Sequence, residues 1–247
     1  SDLGRGAGGY FDALVDGPSV SDLIGRGYLA APRVFAPPHQ LDLSGLRTRA
    51  GDFAAADLAG AVDKPVITGD AVAHYARLCP GQPAIAFCAS VAHAEHVAEQ
   101  FRASGWQAAA LDGKTDTARR RQMISDLGAG ALHVLTACDV VSEGTDIPRV
   151  MAAILLRPTQ SEALYLQQVG RAMRASEGKT HALILDHAGN TMRHGLPAED
   201  RPWSLDGRPR RAKKSDVEDV RITPSGGIAV TTLRAEQPEM RITRVKS

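Results

Sequence analysis

The sequence predicts an α/β domain: a parallel sheet with helices covering both of its faces. Apolar runs of strand length alternate with amphipathic helical stretches, the pattern of successive strand–helix units. A chain of 247 residues, 43% apolar and 23% charged, has the size for one such domain with appendages. No apolar run approaches ~20 residues, so no membrane-spanning helix is expected, and no signal-peptide pattern opens the chain.

The elements follow in order. Gly4 to Phe11 is glycine-rich and polar, like a segment entered mid-course from a preceding domain. Pro18 to Gly25 predicts a short helix with a serine cap and a glycine stop. Tyr28 to Pro38 reads as an extended, proline-bounded crossing. Strands are expected near 84–88, 107–111, 132–135, 151–156 and 181–185, with helices between them. One of these, over 92–103, carries Glu95, Glu99 and Arg102 on its polar side.

Three blocks carry chemistry. The octet Gln167 to Arg174 reads Q-x-x-G-R-x-x-R and is expected where a helix begins to cover a nucleotide cleft. Arg171 and Arg174 are three apart, so on a helix they share one face. Two planar, permanently charged guanidinium forks suit a triphosphate. Upstream, an apolar strand runs into the polar segment Thr136 to Pro148, which contains Gly144 and Asp146 and is stopped by Pro148. Further upstream, Ala84 to Phe87 leads to Cys88-Ala89-Ser90, and a second strand leads to Asp112-Gly113-Lys114 and the run Arg119-Arg120-Arg121. Each block alone is common. Their order and spacing make the set specific.

The three blocks resemble motifs IV, V and VI of superfamily-2 helicases, which lie in the second RecA-like motor domain. The resemblance implies that Arg171 and Arg174, with Gln167, act on the γ-phosphate of ATP, and that Gly144, Asp146 and Gly170 contact the nucleotide. It implies that Ser90, Gly113, Lys114 and Arg120 hold a nucleic-acid backbone. Many relatives carry threonine where Cys138 stands; either the thiol is tolerated, or Thr136, on the same side of the strand two residues earlier, supplies the hydroxyl. Glu143-Gly144, where RNA helicases of the DEAD-box group carry Arg-Gly, leans toward the DNA-directed branch related to RadD, transcription-repair and restriction translocases. The runs Gly17 to Leu29 and Arg33 to Pro38 are similar to the stretch that in RadD-like relatives joins motif III to the second motor domain.

Equally informative is what the sequence omits. Gly113-Lys114-Thr115 and Gly178-Lys179-Thr180 look like P-loop ends, but the glycine required five residues earlier is Ala108 or Met173. No Asp-Glu pair suits a magnesium-binding DExH box. The expectation is therefore half of an ATPase: residues 1–63 the end of a preceding motor domain and a linker, 64–190 the carboxyl-terminal RecA-like domain, 191–247 an extension with a basic tail. ATP with Mg2+ would be shared with an amino-terminal RecA-like domain of the same polypeptide, which would supply the metal ligands. The resemblance implies nucleic acid as the partner, DNA rather than RNA. Alternative readings are a non-hydrolysing RecA-like binding module and the motor part of a restriction system.

The formal net charge of +1 gives no global attraction to nucleic acid, so any binding surface must be local. The run Arg208 to Lys214 reads as a soluble tail. Cys79, Cys88 and Cys138 lack metal spacing and suit a reducing cytoplasm. His93 and His96, on a helix, read as surface groups, and no metal site is expected.

Overall fold

The computed structural model describes residues 13–36, 43–49, 51–63, 65–138, 149–199 and 201, and the strand backbones at 219–222, 228–230 and 243–244. In chain order these form α1 (Val20–Gly25), β1 (Ala31–Ala36), β2 (Thr48–Arg49), β3 (Asp52–Phe53), α2 (Ala55–Val62), α3 (Pro65–Leu78), β4 (Ala84–Phe87), α4 (Val91–Ala103) and β5 (Ala108–Leu111). There follow α5 (Thr117–Ala129), β6 (Val134–Ala137), β7 (Ala152–Leu155), α6 (Glu162–Met173), β8 (His181–Asp186), α7 (Asn190–His194), β9 (Asp219–Ile222), β10 (Ile228–Val230) and β11 (Thr243–Arg244).

Strands β1, β8, β7, β4, β6 and β5 lie side by side in that order and are all parallel. This is the RecA-like sheet that the sequence predicts. Alternation along the strands divides its core in two. Ile85, Phe87, Leu135, Ala153, Leu155 and Ile184 face α5 and α6, where they meet Met123, Leu127, Tyr165 and Val169. Ala84, Ala86, Val134, Ile154 and Leu185 face α3 and α4, against Tyr75, Val97 and Phe101. Strands buried on both faces explain why these runs read as continuously apolar.

Helix starts follow side-chain chemistry. Ser19, Ser90, Asp116 and Ser161 each accept a hydrogen bond from the backbone N–H three residues on, opening α1, α4, α5 and α6. The glycine stop of α1 is Gly27, at φ +76°, rather than Gly25, which is still helical.

One expectation changes substantially. Residues 31–36, read as a crossing, are a strand in the sheet, pairing β8 over Ala31–Phe35. Pro32 hid it. Among the described residues β10 pairs β1 at Val34–Ala36, and Pro32 lies outside that ladder, near the start of the strand, where proline is tolerated. The backbones of β10, β9 and β11 continue the same sheet beyond β1.

His93 is a second correction. It is fully buried rather than on the surface, and its Nδ1 accepts from the Ala89 N–H. His96 is exposed and meets Asp63 at 2.8 Å. Buried histidines make the fold acid-sensitive. His187 stacks on His74 with ring centroids 5.1 Å apart, and burial pushes its pKa from 6.5 down to about 3. Burial also lowers His74, His93 and His194. The unfolded chain therefore takes up protons near pH 6.5 that the folded chain refuses. This stabilisation is complete above that pH and is lost as pH falls toward 3. The urea midpoint should drop between about pH 7 and pH 5, and His187→Phe should blunt the drop. A midpoint that stays constant over that range contradicts the assignment.

Candidate nucleotide and nucleic-acid sites

A parallel sheet has two chemically distinct edges. Ser90, Gly113 and Cys138 follow the carboxyl ends of β4, β5 and β6, which are neighbours with Phe87, Ala137 and Leu111 in register. The three loops therefore share one edge. Ser90 is half-buried and its Oγ accepts from the His93 N–H at 3.1 Å. Asp112 shapes the neighbouring turn: its Oδ1 accepts from the Lys114 N–H at 3.0 Å, and from the Thr115 N–H and hydroxyl at 2.7 Å each. The Thr115 hydroxyl is the main reason that this carboxyl lies below the usual range. Gly113 and Lys114 are thereby held exposed, and a Cβ on Gly113 would meet nothing within 4 Å. Arg120 reaches back to the Asp112 carbonyl at 3.4 Å and braces the loop from below.

Thr136 does not sit with this set. It is fully buried, and its hydroxyl donates to the Ala94 carbonyl at 2.7 Å. The strand period places it on the same side as Cys138, but that side faces α4 inside the domain. Thr136→Val should cost about 1 kcal/mol of stability, the net value of one buried hydrogen bond, and leave nucleic-acid affinity unchanged. An affinity loss of ~10-fold or more in a variant of normal stability would return Thr136 to the contact set.

A hydrogen-bonded knot occupies the rest of this edge, and no local motif announced it. Asp52, on the β2–β3 hairpin, accepts from the Gln160 N–H at 2.7 Å and the Thr159 hydroxyl at 2.9 Å, and pairs with Arg157 at 3.3 Å. Asn190 joins it, accepting from the Thr159 N–H at 3.0 Å and donating to the Arg157 carbonyl at 2.9 Å. Beneath, Phe53, Leu58 and Val62 pack on Ala89, which ties the hairpin and α2 to the Ser90 loop. Asp52 is over 100 residues from Arg157, Thr159 and Gln160 in sequence, so spacing could not reveal the contacts.

The opposite, amino edge holds the arginines. Helix α6 starts at the carboxyl end of β7 and runs back, so the octet closes the helix instead of opening it. Gln167 is exposed and Gly170 half-buried; a Cβ on Gly170 would meet nothing within 4 Å. Arg171 is in the helix and only 7% exposed. Arg174 is its C-cap at ψ 132°, exposed, and bridged to Leu29, with the Ala30 N–H donating to the Met173 carbonyl at 2.7 Å. The two arginines therefore do not share a helical face, because the helix ends between them. Gly144 and Asp146 lie outside the described residues.

Lys179 is the residue at this edge that sequence reading passed over, having met it only inside a false P-loop. Its ammonium donates to the carbonyls of Val150, Ala172 and Arg174, at 2.5 Å for the first and 2.9 Å for the last. Burial pushes its pKa down to about 8, so it stays charged at neutral pH and needs these acceptors. A shallow cavity of about 400 Å³ opens beside it, lined by Gln82, Pro83, Gly130, Arg149 and Glu177 among others. Among the described residues no group of three or more His, Cys, Asp or Glu could hold a metal ion, and no helix is long and apolar enough to cross a membrane.

Comparison with known proteins decides the family. The model of the helicase conserved C-terminal domain matches residues 70–176. The chain carries a helicase C-terminal domain. A 51.5 kDa protein of a Lactococcus phage is 35% identical over 200 residues, which are 81% of this chain and 44% of that protein. The ATP-dependent rRNA helicase RRP3 of Candida albicans is 32% identical over 58% of this chain and 29% of its own length. The chain thus spans less than half of these relatives. A fragment of an HsdR subunit of a type I restriction enzyme from Vibrio vulnificus superposes with a TM-score of 0.59 at 21% identity, over 81% of this chain and 39% of that one, which shows the shared fold. The matched segment begins within α3 and ends just past Arg174, so β1 lies ahead of it.

Proposed function

We propose that this chain is the carboxyl-terminal motor half of an ATP-dependent superfamily-2 helicase or translocase acting on DNA. The observation that carries the reading is the separation of its two sets of charged and polar groups onto opposite edges of one rigid sheet. At the carboxyl edge, Ser90, Gly113, Lys114 and Cys138 offer one side of a groove for a sugar–phosphate backbone. At the amino edge, Arg171 and Arg174, with Gln167 and Gly170 on the same helix, face the nucleotide cleft. Gly144 and Asp146 are assigned to the same nucleotide on their likeness to motif V alone. Arg120 supports the groove through the Asp112 loop, and Thr136 has no direct role.

ATP binds in the cleft against a second RecA-like domain, which holds the phosphates and Mg2+; this chain contributes cationic donors for charge that spreads over the transferred phosphoryl. Closure of the cleft is transmitted through the sheet to the groove, so one grip on the strand moves relative to the other. Contacts to the backbone carry little sequence preference. Glu143-Gly144 favours DNA over RNA.

Binding of labelled single strands to the full-length protein, followed across a salt series, tests this. Affinity should fall steeply with salt, and Lys114→Ala should flatten the logarithmic slope by about 0.7, the share of one phosphate contact on a single strand. DNA should compete better than RNA of the same sequence. An unchanged slope for Lys114→Ala removes that loop from the groove, and preferential competition by RNA overturns the DNA reading.

A further inference from the structure

The three carbonyls that converge on Lys179 come from two different segments. Val150 lies two residues beyond Pro148, at the end of the Gly144-containing block, while Ala172 and Arg174 are the last turn and the cap of the arginine helix. Those carbonyls belong to groups that a helix end leaves without an intrahelical donor. A cation there also meets the negative end of the helix dipole. The ammonium hydrogen-bonds to both segments, with Gly178 at φ +75° turning the chain so that Lys179 points back at them. On the other side, Leu29 and Ala30 hold Arg174 and Met173 by their backbones. The Arg174 backbone is thus held from two sides, and with it the Cα–Cβ bond from which the guanidinium stem starts.

We propose that Lys179 is a positioning residue for ATP hydrolysis: it staples Val150, just ahead of β7, to the end of the arginine helix and so sets the aim of Arg174. This rests on the arginine reading given above. Lys179 touches no nucleotide itself. Its removal leaves Arg174 charged and present but held from one side only, and a misplacement near 1 Å can cost on the order of 100-fold in rate.

The experiment uses the full-length protein and steady-state ATPase assays stimulated by single-stranded DNA. Lys179→Met keeps the apolar stem and removes the donors. The expected result is a loss of roughly 10- to 100-fold in kcat with KM for ATP nearly unchanged. Lys179→Gln, which keeps two donors on a shorter stem, should fall between Met and wild type. In an Arg174→Ala background, Lys179→Met should cost nothing further, because its effect passes through that arginine. Wild-type kcat in Lys179→Met, or a full additional loss in the double variant, overturns the proposal. Should Lys179→Met not fold, Lys179→Gln is decisive: lowered kcat at constant KM supports the proposal, and wild-type kcat overturns it. If Arg174→Ala itself keeps its turnover, the arginine reading has failed; if only the Lys179 variants keep theirs, this inference alone has failed.

Discussion

Arg174→Ala in the full-length protein should bind ATP nearly as wild type and turn it over about 10³- to 10⁵-fold more slowly. The asymmetry follows from where the guanidinium acts. Charge on the equatorial phosphoryl oxygens is redistributed only as the bond to the leaving group lengthens, so a group aimed there contributes little to ground-state affinity. Arg174→Lys should recover part of the loss, since an ammonium keeps the charge without the planar fork. Arg171→Ala should behave differently. That side chain is only 7% exposed, at the end of a helix that packs on the sheet, so its removal should lower the unfolding midpoint as well as the turnover. Phosphate release measured beside a nucleotide-binding titration separates these outcomes.

The second large effect is on stability. Asp186, at the carboxyl end of β8, is fully buried and accepts from the N–H groups of Ala188 and Asn190 at 3.1 Å each and of Thr191 at 2.6 Å. It fixes the turn that places Asn190, and through Asn190 the Thr159 and Arg157 knot. Asp186→Ala leaves three buried donors without an acceptor at about 1 kcal/mol or more each, so a loss on the order of 3 kcal/mol or more is expected. Asp186→Asn, which keeps one acceptor oxygen, should lose less. Urea unfolding of both variants checks the order; an Asp186→Ala midpoint near that of wild type contradicts it.

Much of the fold was legible because its strands are buried on both faces. Ala84 to Phe87 and Ala152 to Leu155 are apolar at every position, and a run of that length between helical stretches has few other uses. β1 was missed because Pro32 argues against a paired strand, although its place near the start of the strand is one where proline is tolerated. His93 was misread as exposed although it begins the stripe His93, Val97, Phe101 at four-residue spacing, all of which are fully buried. That spacing was the available signal. Site residues that follow strand ends, such as Ser90 and Gly113, were legible because topology alone brings them to one edge. Arg174 was placed on a helical face because spacing assumes that a helix continues, and nothing local in Met173-Arg174-Ala175 announces its end. Lys179 and the Asp52 knot depend on contacts across the sheet edges, which no local pattern encodes.

Phosphate release by this chain alone, and by the same chain joined to the motor domain expected upstream of it, tests the central claim most directly. With ATP, magnesium and single-stranded DNA present, the chain alone should release phosphate at the background rate, since it offers two arginines but neither a P-loop lysine nor magnesium-binding carboxylates. Joined to a domain that supplies those groups, it should show turnover stimulated by DNA and abolished by Arg174→Ala. Sustained hydrolysis by the purified chain alone, lost on Arg174→Ala and so not a contaminant, would contradict the half-site account.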